Sequence, residues 1–333
     1  MTLESSDTVE IEGVRKLAAD RSAISVGFFG ETAVFVLAEE ELIFVPAQGD
    51  ERRLKTHNGA ILSCAGDGRR LLTGGDDGRV IAINEVGRAE CIFADDKLRW
   101  IDRIAAHRDG SSAWSVGKQV FCRPAGAPEI VTQVQSSVGG LAFARDGSLL
   151  AIAHSDGVTL YETRSDHRPS ELKWRGFPGD VTFSPDAQVV VSSMREPTLH
   201  AWRLADKKDL PMPGYPTPVR SLDWTASGRY LVTSGSDRLT LLTFQSDNPL
   251  ARMPLLLAPY YRLVAAVACH PTREIAAAGY DDGLVLLVRI PDGAEIVVKS
   301  PDDSPISVMR WNESGTKLGV ASESGNCRVF SMK

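Results

Sequence analysis

The segment "GGDDGR" (Gly74–Arg79) sets two adjacent carboxylates and an arginine among glycines, a composition suited to cradling a phosphate or holding a hard cation. It lacks the Gly-Lys-Ser/Thr with which a phosphate loop reaches the terminal phosphates and their metal. The apolar run after it reads as a strand, so no helix N-terminus receives an anion. The alternating oxygen ligands and closing Glu of a calcium loop are missing too. "HSDG" (His154–Gly157) juxtaposes the residue types of a hydrolytic triad, but neighbours along a strand end point apart and a triad is a spatial arrangement. The six histidines (His57, His107, His154, His167, His200 and His270) show neither HExxH nor short His-x-His spacing. The five cysteines (Cys64, Cys91, Cys122, Cys269 and Cys327) are far apart, odd in number and without CxxC. No catalytic residue, metal site or cofactor is expected. Cys64, Cys269 and Cys327 sit in apolar runs and read as small buried hydrophobes in a reducing compartment.

What "GGDDGR" does is answered by recurrence. "LLTGGDDGRVIAIN" (Leu71–Asn84), "LLAIAHSDGVTLYE" (Leu149–Glu162), "YLVTSGSDRLTLLT" (Tyr230–Thr243) and "IAAAGYDDGLVLLV" (Ile275–Val288) share one form. Each is an apolar run, a small-residue turn with Asp, and a second run rich in Val, Leu and Ile. A catalytic loop does not occur four times; a structural hairpin does. Asp77, Asp156, Asp237 and Asp282 are therefore expected to be turn residues, with Asp77 and Asp282 bonding the backbone of their own turns.

The elements that carry these turns repeat as well. Openings near Ile24, Ile61, Trp100, Val138, Gly179, Val219, Val264 and Ile306 are spaced by 37 to 45 residues. The unit from Val219 reads as four strands: Val219–Trp224, Tyr230–Ser234, Leu239–Phe244 and a fourth containing Leu255–Leu257. Four short strands per such period make one propeller blade. The units resemble degenerate WD40 repeats. "LAFARDGSLLAIAHSDG" (Leu141–Gly157) and "VTFSPDAQVVVSS" (Val181–Ser193) resemble the family's first hairpin. The four Asp residues fall where the family has Asp between second and third strands, and His57 where it has His before the first. No Trp-Asp pair ends a third strand, so the family's His–Ser/Thr–Trp network is expected to be incomplete in every blade. The expected fold is all-β: one propeller over residues 1–333, with eight blades favoured and seven the alternative. The final unit ends on a third strand. Residues 1–22, with "VEIEGVRKLAADRS" (Val9–Ser22), are expected to supply its outer strand and close the ring, removing two exposed sheet edges.

A net charge of −6 argues against nucleic acid as the main partner. The acidic start shows no signal peptide and no apolar run is long enough for a membrane span, so a cytoplasmic protein without membrane contact is expected. Aromatics make up 7% of the chain, yet they cluster where one blade hands over to the next. "LRWID" (Leu98–Asp102), "KWRGFPGD" (Lys173–Asp180), "PGYPTPVR" (Pro213–Arg220) and "APYYRL" (Ala258–Leu263) carry Trp100, Trp174, Phe177, Tyr215, Tyr260 and Tyr261, with Arg99, Arg175, Arg220 and Arg262. Trp, Tyr and Arg dominate binding hot spots. About half of the aromatics are expected to pack between blades instead. The resemblance implies a non-enzymatic scaffold that holds a protein or peptide on its loop-rich face. The alternatives are an RNA-associated scaffold and, further off, a small-molecule or catalytic propeller. The last is disfavoured by the lack of a Cys-Cys pair and by six irregularly placed tryptophans.

Overall fold

A computed structural model describes residues 10–164, 169–244 and 253–333. Among the described residues every strand belongs to one of eight four-stranded antiparallel sheets, and there is no helix. The sheets follow one another along the chain as blades 1 to 8 of a ring. Their first strands begin at Ala23, Ile61, Ile101, Gly140, Pro178, Leu222, Val264 and Ile306, within three residues of the sequence-derived openings. Blade 8 is completed from the other end of the chain. Ile11–Ala18 pairs antiparallel with Asn326–Met332, from Ile11 opposite Met332 to Ala18 opposite Asn326. His167 and residues 1–9 lie outside the described residues.

Second and third strands are buried on both faces and read as continuous apolar runs, such as Val189–Met194. Outer strands have one free edge and are largely exposed, and several alternate. In Lys208–Pro213 only Leu210 and Met212 are buried. The mixed charges of "DKKDLP" (Asp206–Pro211) have the composition of a surface loop, yet Lys208–Pro211 lie in the outer strand of blade 5, paired with His200–Arg203. Proline is tolerated there because an edge strand has backbone positions that need no ladder partner.

The core is a set of slices between neighbouring blades rather than one central mass. Val34, Val36, Leu42 and Phe44 of blade 1 pack with Ile61, Leu71, Ile81 and Ile83 of blade 2. The closing slice sets Ala321, Cys327 and Val329 of blade 8 against Val26, Phe35 and Ile43 of blade 1. Burying each such large side chain stabilises the fold by about 1.5–3 kcal/mol. The blades converge toward the axis, so side chains there must be small. A Cβ on Gly74 would lie 2.6 Å from Ile101, and one on Gly279 2.8 Å from Ile306, in each case on the next blade. Polar fasteners join first strands across blades. Ser63 Oγ donates to Ile101 O (3.0 Å), the Cys269 amide donates to Asp223 Oδ2 (2.8 Å), and Ser307 Oγ donates to Ala23 O (3.1 Å).

The turns between first and second strands are also tied blade to blade. His270 Nδ1 accepts the Arg273 amide (3.0 Å), so Nε2 carries the proton and donates to Gly315 O (3.2 Å). His107 Nε2 reaches Arg145 O (2.9 Å), and Asn312 Nδ2 donates to Gly30 O (3.3 Å).

Deleting residues 1–20 removes the partner of Asn326–Met332 and exposes a sheet edge beside an opened apolar slice. The shortened chain should aggregate or melt at a markedly lower temperature, read by scanning calorimetry and light scattering. Unchanged melting of a soluble truncated protein would contradict closure by this strand.

Candidate functional site

The loops that carry the chain from the outer strand of one blade to the first strand of the next are termed entry loops here. By backbone, seven of the eight are bonded to the second-to-third-strand turn of the blade they leave, while the loop into blade 6 is bonded to the turn of the blade it enters. Examples of the seven are Trp174 N to Asp156 O (3.0 Å), Tyr260 N to Asp237 O (2.9 Å) and Asp302 N to Asp282 O (3.0 Å). By side chain, several reach the corresponding turn of the blade they enter. Entry loops and Asp turns therefore share one face of the disc.

At blade 2 the joint is closed by His57, whose Nδ1 lies 3.0 Å from Asp77 Oδ1 and whose Nε2 lies 2.9 Å from Thr73 Oγ1. An ionised carboxylate only accepts, so in the neutral ring Nδ1–H donates to Asp77 and Nε2 accepts the Thr73 hydroxyl. Asp77 also accepts the amides of Asn58 (3.0 Å) and of Arg79 in its own turn (3.2 Å). Burial works against this carboxylate, but the Asn58 amide and the His57 ring outweigh it and hold its pKa below the usual value.

Elsewhere other residues do the same work. The Tyr260 hydroxyl donates to Asp282 Oδ2 at blade 7 (3.0 Å), while Asp282 Oδ1 accepts the Leu284 amide of its own turn (3.0 Å). The buried Lys299 donates to Gly283 O (2.7 Å) and pairs with Asp302 (2.7 Å). The Tyr280 hydroxyl donates to Ala258 O (2.7 Å). At blade 6 the Tyr215 hydroxyl lies 2.8 Å from Thr233 Oγ1, and burial pushes its pKa up to about 12. Asp237 pairs instead with Arg238 (2.8 Å), and the Asp156 carboxylate has no partner among the described residues. Lys299 and Tyr280 carry no sequence signal, because their partners are set by the packing of distant turns.

The entry-loop aromatics divide into two sets. Trp174, Tyr215 and Tyr260 pack on the inter-blade slices; the Trp174 ring is stacked on His200 at 4.0 Å. Trp100, Phe177 and Tyr261 point outward, 60%, 56% and 77% exposed. Arg195 lies over Phe177 (5.4 Å) and Arg262 over Tyr261 (5.7 Å). Arg99 forks onto Asp95 (2.6 and 3.1 Å), which pulls that carboxyl down to about 2. Arg175 and Arg220 are exposed and make no side-chain hydrogen bond or ion pair among the described residues. The outward aromatics stand at separate stations, on the loops entering blades 3, 5 and 7.

Three cavities lie in entry joints. Arg99, Trp100 and Lys118 line one of ≈ 460 Å³ at blade 3. Gln135, Asp156 and Trp174 line one of ≈ 620 Å³ at blade 4. Tyr215, Asp237 and Leu256 line one of ≈ 610 Å³ at blade 6. Among the described residues no three His, Cys, Asp or Glu are placed to hold a metal ion. No helix there is long and apolar enough to cross a membrane.

Eight four-stranded blades in a closed ring define an eight-bladed β-propeller. Residues 50–82 and 210–242 each match the model of the WD domain, G-beta repeat. Both windows run from an outer strand through an entry loop into the next blade. They enclose the two joints in which a loop side chain meets a second-strand threonine, His57–Thr73 and Tyr215–Thr233. The chain is a WD40-repeat β-propeller. It is similar to the computationally designed Ika8 protein, solved by crystallography, with a TM-score of 0.75 at 15% identity over 94% of this chain and 97% of that one. That likeness concerns the fold alone. No curated protein sequence matches the chain. WD40 propellers commonly act as protein-interaction scaffolds and are typically non-enzymatic.

Two outcomes are expected. His57→Ala leaves the Thr73 hydroxyl and the Asp77 carboxylate without their ring partner. It should cost about 1–3 kcal/mol in chemical denaturation, while Tyr260→Phe, which loses one hydrogen bond, should cost about 1 kcal/mol. Burial holds the His270 pKa below its ordinary 6.5. The unfolded chain therefore binds a proton there that the folded chain does not, and the His270 contribution is lost as pH falls below that value. The stability advantage of wild type over His270→Gln at about pH 8 should narrow as the pH is lowered through this window. A gap that stays constant would show that His270 is not held neutral.

Proposed function

We propose that the chain is a non-enzymatic scaffold that holds a protein or peptide on its entry-loop face. The observation that carries this reading is the outward exposure of Trp100, Phe177 and Tyr261 on loops of that one face. Aromatics already desolvated at a joint have little left to give a partner. An exposed ring loses water only on binding, and at an interface it can contribute about 2 kcal/mol or more. The stations run from blade 3 to blade 7 as an arc, which suits an extended segment better than a compact small molecule. Arg175, Arg220 and Arg262 beside them suit a segment with acidic or backbone acceptors. The cavities at blades 3, 4 and 6 offer room for side chains between stations. A reducing, cytoplasmic setting suits the five free cysteines.

The test is a peptide-display selection against the immobilised protein, followed by affinity measurements with single variants. Trp100→Ala, Phe177→Ala or Tyr261→Ala should weaken a selected peptide roughly tenfold for at least one of the three, 1.4 kcal/mol being a factor of ten. Melting temperatures should stay near wild type, because these rings are exposed. Trp174→Ala and Tyr215→Ala should instead lower stability. Selected peptides that bind all three exposed-ring variants as tightly as wild type would refute the reading.

A further inference from the structure

On the face opposite the entry loops is a cavity of ≈ 560 Å³, lined by Asp67, Arg69, Arg108, Pro271, Thr272 and Glu313. These residues sit in the first-to-second-strand turns of blades 2, 3, 7 and 8. Blades 3 and 7 stand opposite one another in a ring of eight, so a cavity that both line lies on the axis, at the mouth of the central channel. A smaller cavity of ≈ 100 Å³ shares Glu313 with it and is lined by Arg310. Arg310 belongs to the first strand of blade 8, where it is the exposed residue between the buried Met309 and Trp311, and it lines this smaller cavity beneath the mouth.

The guanidinium groups of Arg69, Arg108 and Arg310 make no hydrogen bond or ion pair among the described residues. The carboxylates around them are unequal. Asp67 is committed to its own turn, accepting the Arg69 and Arg70 amides (2.9 and 2.6 Å) and pairing with the Arg70 side chain (2.9 Å). Glu313 has no partner among the described residues and opposes any anion that enters.

We propose that this mouth binds a small polyanion carrying two or more phosphoryl groups, held by Arg69 and Arg108 at the rim and Arg310 beneath. The planar guanidinium fork matches phosphoryl oxygens two at a time. The cavity volume is that of a small-molecule site. The site is on the other face from the entry loops and does not depend on the function proposed above.

The probe is inorganic tripolyphosphate, titrated calorimetrically into the full chain. Saturable one-to-one binding that weakens as salt is raised is expected. Arg69→Ala and Arg108→Ala should each reduce affinity about tenfold, and Glu313→Gln should tighten it. All three side chains are exposed, so the variants should melt with wild type in the absence of ligand, and Tyr261→Ala should bind the probe normally. No saturable binding at millimolar probe, or affinity unchanged by both arginine substitutions, would overturn the proposal.

Discussion

The pairing of Ile11–Ala18 with Asn326–Met332 is the contact that the rest of the ring presupposes. It covers the edge of Asn326–Met332 and supplies an outer strand that the C-terminal part of blade 8 does not contain. Its consequence extends past one sheet. A propeller core consists of slices between neighbours, and each slice needs both walls. Ile101 seated on Gly74 and Ile306 seated on Gly279 are contacts between blades, as is the set of Val26, Phe35 and Ile43 against Cys327 and Val329. Once the two ends of the chain meet, every slice has its second wall. Entry loops are then anchored at both ends by first and outer strands that cannot shift independently.

That anchoring explains how a repeat so degenerate still positions its loops. The requirement at each joint is a hydrogen-bonding group from the entry loop aimed at the turn or second strand beside it. His57 meets it at blade 2, Tyr215 at blade 6, and Tyr260 with Lys299 at blade 7. Blade 5 shows the converse. Trp202 stands one residue before the end of its third strand, but the next residue is Arg203 and the buried indole nitrogen has no hydrogen-bond partner among the described residues; Trp174, not a histidine, comes in from the entry loop and stacks on His200. Cavities remain in the joints of blades 3, 4 and 6, the last beside the bonded Tyr215 ring. On the opposite face His107, His270 and Asn312 bridge turn to turn around the axis and leave at the channel mouth arginines that make no ion pair among the described residues.

Much of the fold was legible because its signals are local. Short apolar runs and Gly-Asp turns recur at a steady spacing, and the missing last strand has a matching surplus at the start. Outer strands were harder to read. Lys208–Pro213 carries charge and two prolines because one edge and four of its six side chains meet solvent, and that composition imitates a loop. The binding face was legible as a set of loops but not as a set of side chains. Tyr260 and Tyr261 are adjacent, yet one hydroxyl turns inward to Asp282 and the other ring points to solvent. That choice depends on the distance to a turn of the next blade, which no local pattern encodes. The Tyr280–Ala258 and Lys299–Gly283 contacts were invisible for the same reason.

A rigid ring that presents outward aromatics from one face makes a spatial claim that hydrogen exchange can read directly. With a selected peptide bound, amides of the entry loops around Trp100, Phe177 and Tyr261 and of the neighbouring Asp turns should gain protection. The first-to-second-strand turns around Arg69, Arg108 and Glu313 should exchange as in the free protein. Protection confined to those turns, or to outer strands such as Lys208–Pro213, would contradict the entry-loop face as the binding surface.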